Sequence, residues 1–221
     1  MLPEYIEARH KVRDEMLEII NDLSLANKLA LQALEVGDKE GLKKAKKPIK
    51  DILERTEALD NDIVLIFARY APEAKDLREL IAYIKTTSVI NRIVINIDNY
   101  IKNMQIFFDD SESDFYKIIK ESLSINRFTL NAFDFTLEML QTFDDRDKLE
   151  TLAGKIEVEY SKTDDVYSLI EKEIIQKAGS SHSVAEEYFN LLKYIRKNIK
   201  IIERLDDISS KLIFAKVGGK L

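Results

Sequence analysis

Two acidic side chains near the C-terminal end of the sequence have the spacing of metal ligands on a helix. Glu203 and Asp207 lie four residues apart and continue a row that begins with Ile195 and Ile199, so both carboxylates fall on one helix face. Carboxylates on a core-directed row require cations, hydrogen-bond donors or solvent, because an unpaired buried charge is strongly unfavourable. Hard cations bind oxygen ligands of this kind, so the pair indicates a metal site.

Further oxygen ligands are predicted on the helix that precedes this one in the chain. Asp164 and Asp165 supply them, and Glu157 is a further candidate. We therefore predict a divalent or iron ion held by Glu203, Asp207, Asp164 and Asp165. A second interpretation stays open, because acidic pairs at this spacing are common in Glu- and Lys-rich helices. In that case the row is paired with lysines or solvated.

Other catalytic and metal-binding chemistries find little support in the sequence. It has no Cys, which excludes thiolate nucleophiles and Cys-rich metal sites. The only two histidines, His10 and His182, lack the Glu-x-x-His pattern of ferritin-like di-iron sites, and we expect both to be exposed. No Gly-rich phosphate loop and no nucleophile with a partner base is found, so we do not expect an enzyme.

The composition predicts long helices. The 221 residues include only 6 Gly and 3 Pro, against 45% hydrophobic and 33% charged residues, which is ample for a core and poor in turns. The net charge of −6 disfavours nucleic-acid binding, and the lysines between positions 43 and 50 are expected to form a solvated helix face. The lack of Cys and of a long apolar run favours a cytoplasmic location.

Turn-forming residues divide the chain into six segments of about 30 to 35 residues, with cuts at 37–38, 71–72, 109–111, 144–145 and 179–183. Apolar residues recur with helical periodicity between the cuts. In the third segment the row is Leu77, Leu80, Ile84, Ser88, Asn91 and Ile95. Pro48 lies within the second segment, where we expect a kink or a broken turn rather than a boundary. The predicted fold is all-α, with six long helices forming two tandem antiparallel three-helix bundles.

The two halves of the chain share an order of landmarks. In each half a turn containing Asp is followed by a helix with an inward Thr and Asp, and then by a helix centred on an Arg. These landmarks are Asp38, Thr56, Asp60 and Arg92 in the first half, and Asp145, Thr163, Asp164 and Arg204 in the second. We predict a duplication, with one repeat over residues 1–108 and the other over residues 109–221.

The first copy of the acidic pair is degenerate. Asn91 and Ile95 occupy the positions of Glu203 and Asp207. Isoleucine cannot bind a metal, and a neutral amide is a poor ligand for a hard cation. We therefore expect the first site to be lost to helix packing, and Asp98, one turn further on, to be a solvated or capping residue.

These features together resemble the PhoU family of phosphate-transport regulators, and the resemblance covers nearly the whole chain. It rests on residues 37–38 and 71–78 (APEAKDLR) in the first half and on residues 163–167 (TDDVY) and 202–207 (IERLDD) in the second. In the family a Glu-x-x-x-Asp motif in each repeat binds metal clusters at the bundle surface. By resemblance, Glu203 and Asp207 match this motif, whereas Asp206 stands where the family usually has Gly.

The resemblance implies a regulatory adaptor of phosphate uptake. Its implied partners are the ATPase subunit of a phosphate transporter and, in some cells, a sensor histidine kinase, and a homodimer is a further expectation. The membrane is then reached only through the transporter. Two alternatives stay open: a PhoU-like accessory module of another ion or phosphate transporter, and a metal-dependent enzyme on a helical bundle.

Overall fold

The chain is all-α, as predicted. A computed structural model describes residues 3–108, 114–180 and 185–218, and no strand occurs within these ranges. The helices are α1 (Pro3–Val36), α2 (Lys39–Lys44), α3 (Ile52–Tyr70), α4 (Ala74–Met104), α5 (Asp114–Gln141), α6 (Arg146–Ser180) and α7 (Ala185–Val217). Six of them are long, and one lies in each of the six predicted segments. Gly37 ends α1 with a φ of 74°, a left-handed conformation that glycine adopts without strain.

The second segment is not one long helix, which corrects the expectation for Pro48. It contains the short α2, a 3₁₀ turn over Lys47–Ile49, and then α3. Asp38 caps α2, because its side-chain oxygen accepts the Gly41 N–H at 2.8 Å. Pro48 has no N–H to donate, so it occupies the start of the 3₁₀ turn instead of a helix interior.

The two halves share one hydrophobic core. Among the described helices, α4 and α7 make the most extensive contact, and they come from different halves. A buried polar chain also crosses between the halves: the Tyr100 hydroxyl donates to the Asn126 side-chain oxygen, and the Asn126 amide donates to Asn27, each at 2.9 Å. The division into two repeats stays a prediction, and the predicted boundary falls among residues 109–113, outside the described ranges.

The buried face of α4 differs from the predicted row. Leu80 is buried, but Ser88 is exposed and the Ile95 side chain is 53% exposed. The fully buried positions include Tyr83, Ile90, Ile93 and Ile101. Because α4 packs against α3 on one side and α7 on the other, it buries a wider surface than a single row.

The position of α4 in the bundle also explains its apolar character. Within the described ranges, Ala74–Phe107 is the one stretch long and apolar enough to cross a membrane by length and composition. In this bundle 56% of its most apolar window is buried among the other helices. A core helix of a bundle has the same composition.

Candidate functional site

The predicted acidic pair lies on α7, at the edge of the core. The row that leads to it is buried as predicted, with Ile195 and Ile199 at 1% and 6% exposure. The Glu203 side chain is 37% exposed and accepts from Lys200 at 3.4 Å. The Asp207 carboxylate is held by Lys211 on the next turn of the same helix. Each carboxylate therefore has a lysine partner and contact with solvent.

Carboxylates of α6 face the same region. The Tyr160 side chain lies in the field of Asp164, Glu203 and Asp206. Burial raises the pKa of Tyr160, and these three carboxylates raise it further. Burial also raises the pKa of Asp206, with added repulsion from Glu157 and Asp207. We call this surface the acidic face; its members are Glu157, Asp164, Glu203, Asp206 and Asp207.

The two metal ligands predicted on α6, Asp164 and Asp165, do not point toward the core. Thr163 is fully buried, as predicted, and its hydroxyl donates to the Tyr160 carbonyl at 2.7 Å. Asp164, however, is exposed, so the expectation that it points inward with Thr163 is wrong. Asp165 is exposed as well. A helix places successive residues about 100° apart, so only one of three adjacent residues can point squarely at the core.

The donor set of the acidic face does not form a preformed metal centre. Within the described ranges, no group of three or more Asp, Glu, His or Cys side chains is arranged to hold a metal ion. Glu203 and Asp207 are instead engaged by lysines. This arrangement is the paired and solvated row of the second interpretation. Metal binding at Glu203, Asp207, Asp164 and Asp165 stays a prediction.

The corresponding surface of the first half joins its two helices by hydrogen bonds. The Thr56 hydroxyl of α3 lies 2.7 Å from the Asn91 side-chain oxygen of α4. One turn away, the Thr87 hydroxyl of α4 donates to the Asp60 carboxylate of α3 at 2.7 Å. Burial raises the pKa of Asp60, and the Thr87 hydrogen bond partly offsets this. We call these four residues the sealed face.

An apolar groove lies beside the sealed face, where the acidic pair would continue. The exposed Ile95 side chain lines this groove of about 430 Å³ together with Leu53 and Lys50. Asp98, at its rim, pairs with Lys46 at 2.6 Å. The first half therefore replaces carboxylates with hydrogen-bonded and apolar contacts, and Asp98 is an ion-pair residue.

Two histidines and two arginines were also singled out in the sequence. His10 is exposed, as predicted, whereas His182 lies outside the described ranges. Arg92 is exposed, but Arg204 is half-buried and its Nε has no hydrogen-bond partner among the described residues. The equivalent arginines of the two halves thus have different surroundings.

Two members of the acidic region were missed from sequence. The sequence marks Asp206 only as a departure from a family pattern, and it does not single out Tyr160 as a candidate. The signal for Asp206 is its spacing, because it lies three residues after Glu203 on the same helix. No local signal marks Tyr160, since its proximity to Asp206 depends on the packing of α6 against α7.

Comparisons with a family model and with solved structures found proteins that are similar to this chain. A family model described as PhoU domain matches residues 14–104, which contain the sealed face and its helices. The chain therefore contains a region, residues 14–104, that is similar to the PhoU domain. The family resemblance inferred from the sequence is thereby confirmed. No curated protein sequence matches the chain at a significant level.

The PhoU fold extends over both halves. The crystal structure of PhoU from Pseudomonas aeruginosa superposes with a TM-score of 0.84 at 19% identity, covering 97% of this chain and 100% of that one. The phosphate transport system regulatory protein PhoU from Streptococcus pneumoniae gives 0.81 at 18% identity, covering 98% of each chain. At these identities the likeness establishes the fold of the whole chain, beyond the residues of the PhoU domain.

Proposed function

We propose that this protein is a non-enzymatic regulatory adaptor of phosphate uptake that works in the cytoplasm. The observation that carries the proposal is the PhoU domain at residues 14–104 within a chain that has the PhoU fold over 97% of its length. One of the solved proteins with this fold is described as a phosphate transport system regulatory protein. The absence of any recognisable catalytic motif in the sequence is consistent with an adaptor.

The adaptor acts by contact with the ATPase subunit of a phosphate transporter, and with a sensor histidine kinase where the cell has one. It reaches the membrane only through the transporter. A bundle of long helices with a shared core suits this role, because its surface residues keep fixed relative positions. A second copy of the chain is an additional partner in this proposal.

We propose the acidic face as the contact surface for the ATPase. Lys200 and Lys211 of α7 pair with two of its five carboxylates, and Arg196 also acts on Tyr160, so among these described residues the negative charges are in excess. These lysines lie on the same helix as the carboxylates that they hold. A partner with a basic surface therefore meets available carboxylates without breaking a contact between helices. Charge complementarity of this kind speeds association and excludes wrong partners.

The test is direct binding of the full chain to the purified ATPase subunit from the same cell. Replacing two acidic-face residues, Glu203→Gln with Asp164→Asn, is expected to weaken binding by about tenfold and to reduce its salt dependence. Glu57→Gln is the matched control, because exposed Glu57 follows Thr56 on α3 as Asp164 follows Thr163 on α6. The control variant is expected to bind like the wild type.

Three results distinguish the proposals. Binding that is equally strong in all three proteins would place the contact elsewhere and remove the acidic face from it. No binding to any subunit of the phosphate transporter or its kinase would overturn the adaptor proposal. Binding to a subunit of another ion transporter would replace the proposal with the accessory-module alternative.

A further inference from the structure

Positive side chains from three helices meet at the end of the bundle where α4 begins and α7 ends. Lys75 and Arg78 lie one turn apart at the start of α4, and Lys216 lies in the last turn of α7. The Lys216 ammonium is 2.7 Å from Asp144 Oδ1, and the Arg13 guanidinium of α1 is 4.0 Å from Asp144 Oδ2. We call Arg13, Lys75, Arg78 and Lys216 the cationic end cluster.

Two ammonium groups of this cluster are close neighbours. The positive charge of Lys216 lowers the pKa of Lys75, and Arg78, one turn after Lys75, lies against Gly218, two residues after Lys216. Asp144 counters this repulsion only in part, because it is already bonded to Lys216 and its side chain is 81% exposed. Adjacent like charges destabilise a site unless an anion lies between them or beside them.

One side-chain donor of Arg78 has no acceptor in the part of the chain that the structure describes. Its Nε is buried and has no hydrogen-bond partner among the described residues. The side chain lies against Gly218 just after α7, where an added Cβ would be 3.8 Å from Nε. Glu73, which precedes α4, makes no side-chain cap, and the Asp76 N–H donates to the Glu73 carbonyl at 3.2 Å.

The surrounding carboxylates do not balance the cluster. Deeper in the bundle, Arg9 binds Asp76 at 2.9 Å and the buried Glu79 at 2.5 Å. The linked charged groups are then five cations and three carboxylates, namely Arg9, Arg13, Lys75, Arg78 and Lys216 with Asp76, Glu79 and Asp144. Among these eight described residues the positive charges outnumber the negative ones by two, in a chain whose net charge is −6.

We infer that the cationic end cluster binds a divalent oxyanion of the phosphate class. Lys75, Lys216 and Arg78 supply its charge-assisted hydrogen bonds, and a doubly charged anion is favoured because positive side chains outnumber carboxylates among the described residues here. The anion competes with Asp144 for Lys216. Because Lys75 and Arg78 belong to the first half and Lys216 to the second, the bound anion ties the start of α4 to the end of α7. The inference does not depend on the proposed regulatory role.

Titration calorimetry of the full chain with inorganic phosphate, at constant pH and ionic strength, tests this site. Saturable binding at one site per chain is expected in the wild type. Lys75→Gln removes an exposed charge and is expected to weaken binding by about tenfold. Lys50→Gln is the matched control, because Lys50 is an exposed lysine beside the groove of the first half.

Asp144→Asn gives an expected change of opposite sign. Removing the competing carboxylate should tighten phosphate binding by a few-fold, and a general loss of stability would not produce that result. Circular dichroism before each titration confirms that the variants are folded. Sulfate is expected to bind as well, because the recognition is by charge and hydrogen bonds.

A titration with glycerol 3-phosphate identifies the source of the anion. Weaker binding than inorganic phosphate indicates a free anion as the ligand, and stronger binding indicates a phosphoryl group carried by a larger molecule. The inference is overturned if phosphate gives no more heat than chloride at equal ionic strength. It is also overturned if Lys75→Gln and Lys50→Gln bind alike. Both readouts are independent of ATPase binding, so either proposal can fail alone.

Discussion

The α3–α4 pair and the α6–α7 pair differ in what holds their polar side chains. In the first pair, Thr56 and Thr87 reach across to Asn91 and Asp60, so the two helices are joined by side-chain hydrogen bonds. In the second pair, Glu203 and Asp207 are held by lysines of their own helix. One surface is closed by contacts between helices, and the other keeps its charges toward solvent.

The chemistry of the replaced residues explains this difference. A neutral amide such as Asn91 can be half-buried when a hydroxyl group satisfies its oxygen. A carboxylate at the same position would require a cation or solvent. The neutral Asn91 therefore permits a hydrogen bond between α3 and α4, whereas the acidic pair on α7 leaves a charged surface toward solvent.

The largest expected effect concerns the seam between the two halves. Asn126→Ala leaves the Tyr100 hydroxyl and the Asn27 oxygen without their buried partner, which should cost about 2–4 kcal/mol of unfolding free energy. Hydrogen exchange followed by mass spectrometry is expected to show lost protection in both halves. Loss confined to one half would mean that the halves unfold independently despite their shared core.

The next effect compares the two buried threonines directly. Thr56→Val removes a hydroxyl that contacts Asn91 across the helix pair and should cost about 1–2 kcal/mol. Thr163→Val removes a hydroxyl that contacts only the Tyr160 carbonyl of its own helix, so the expected cost is under about 0.5 kcal/mol. Urea unfolding of both variants measures the difference. Equal costs would show that the hydrogen bond between α3 and α4 adds no stability.

A smaller effect, dependent on pH, is expected at Asp206. Its pKa is raised in the folded protein, chiefly by burial, so the ionised carboxylate destabilises the fold above that pKa. Asp206→Asn should therefore increase the unfolding free energy at pH 7 by under about 1 kcal/mol. This gain should disappear as the pH falls through the raised pKa toward the ordinary aspartate value.

Urea titrations of both proteins across this pH range measure the effect. Asp60→Asn is the comparison from the sealed face, since its raised pKa is partly offset by Thr87. A smaller gain is expected there. A gain at Asp206 that does not change with pH would rule out ionisation as its cause.

The smallest stability effect is expected for the predicted metal ligands. Glu203→Ala with Asp207→Ala should change the unfolding free energy by no more than about 0.5 kcal/mol, because both side chains are partly exposed ion-pair residues. Metal analysis after incubation with iron or manganese tests the metal prediction separately. Retention by the wild type and loss in the double variant would support it. Equal metal content in the two proteins would assign these carboxylates to ion pairing alone.

The number and approximate positions of the long helices could be predicted because they depend on local sequence. The Gly37 turn, the six long helices and the buried row through Ile195 and Ile199 follow from the periodicity of the residues and the conformational preference of glycine. The break at Pro48 was underestimated. A kink or a broken turn was expected at this proline, whereas the capped α2 and the 3₁₀ turn form a complete boundary.

The sequence by itself determined that the chain is helical and that Glu203 and Asp207 share a face of α7, since both properties depend on residues within a few turns of each other. The tertiary structure decided which side of α4 is buried, because α4 packs against helices of both halves. It also brought Lys75 to Lys216, and Tyr160 to Asp206. Those pairs come from separate helices, and a helical period does not specify which helices become neighbours.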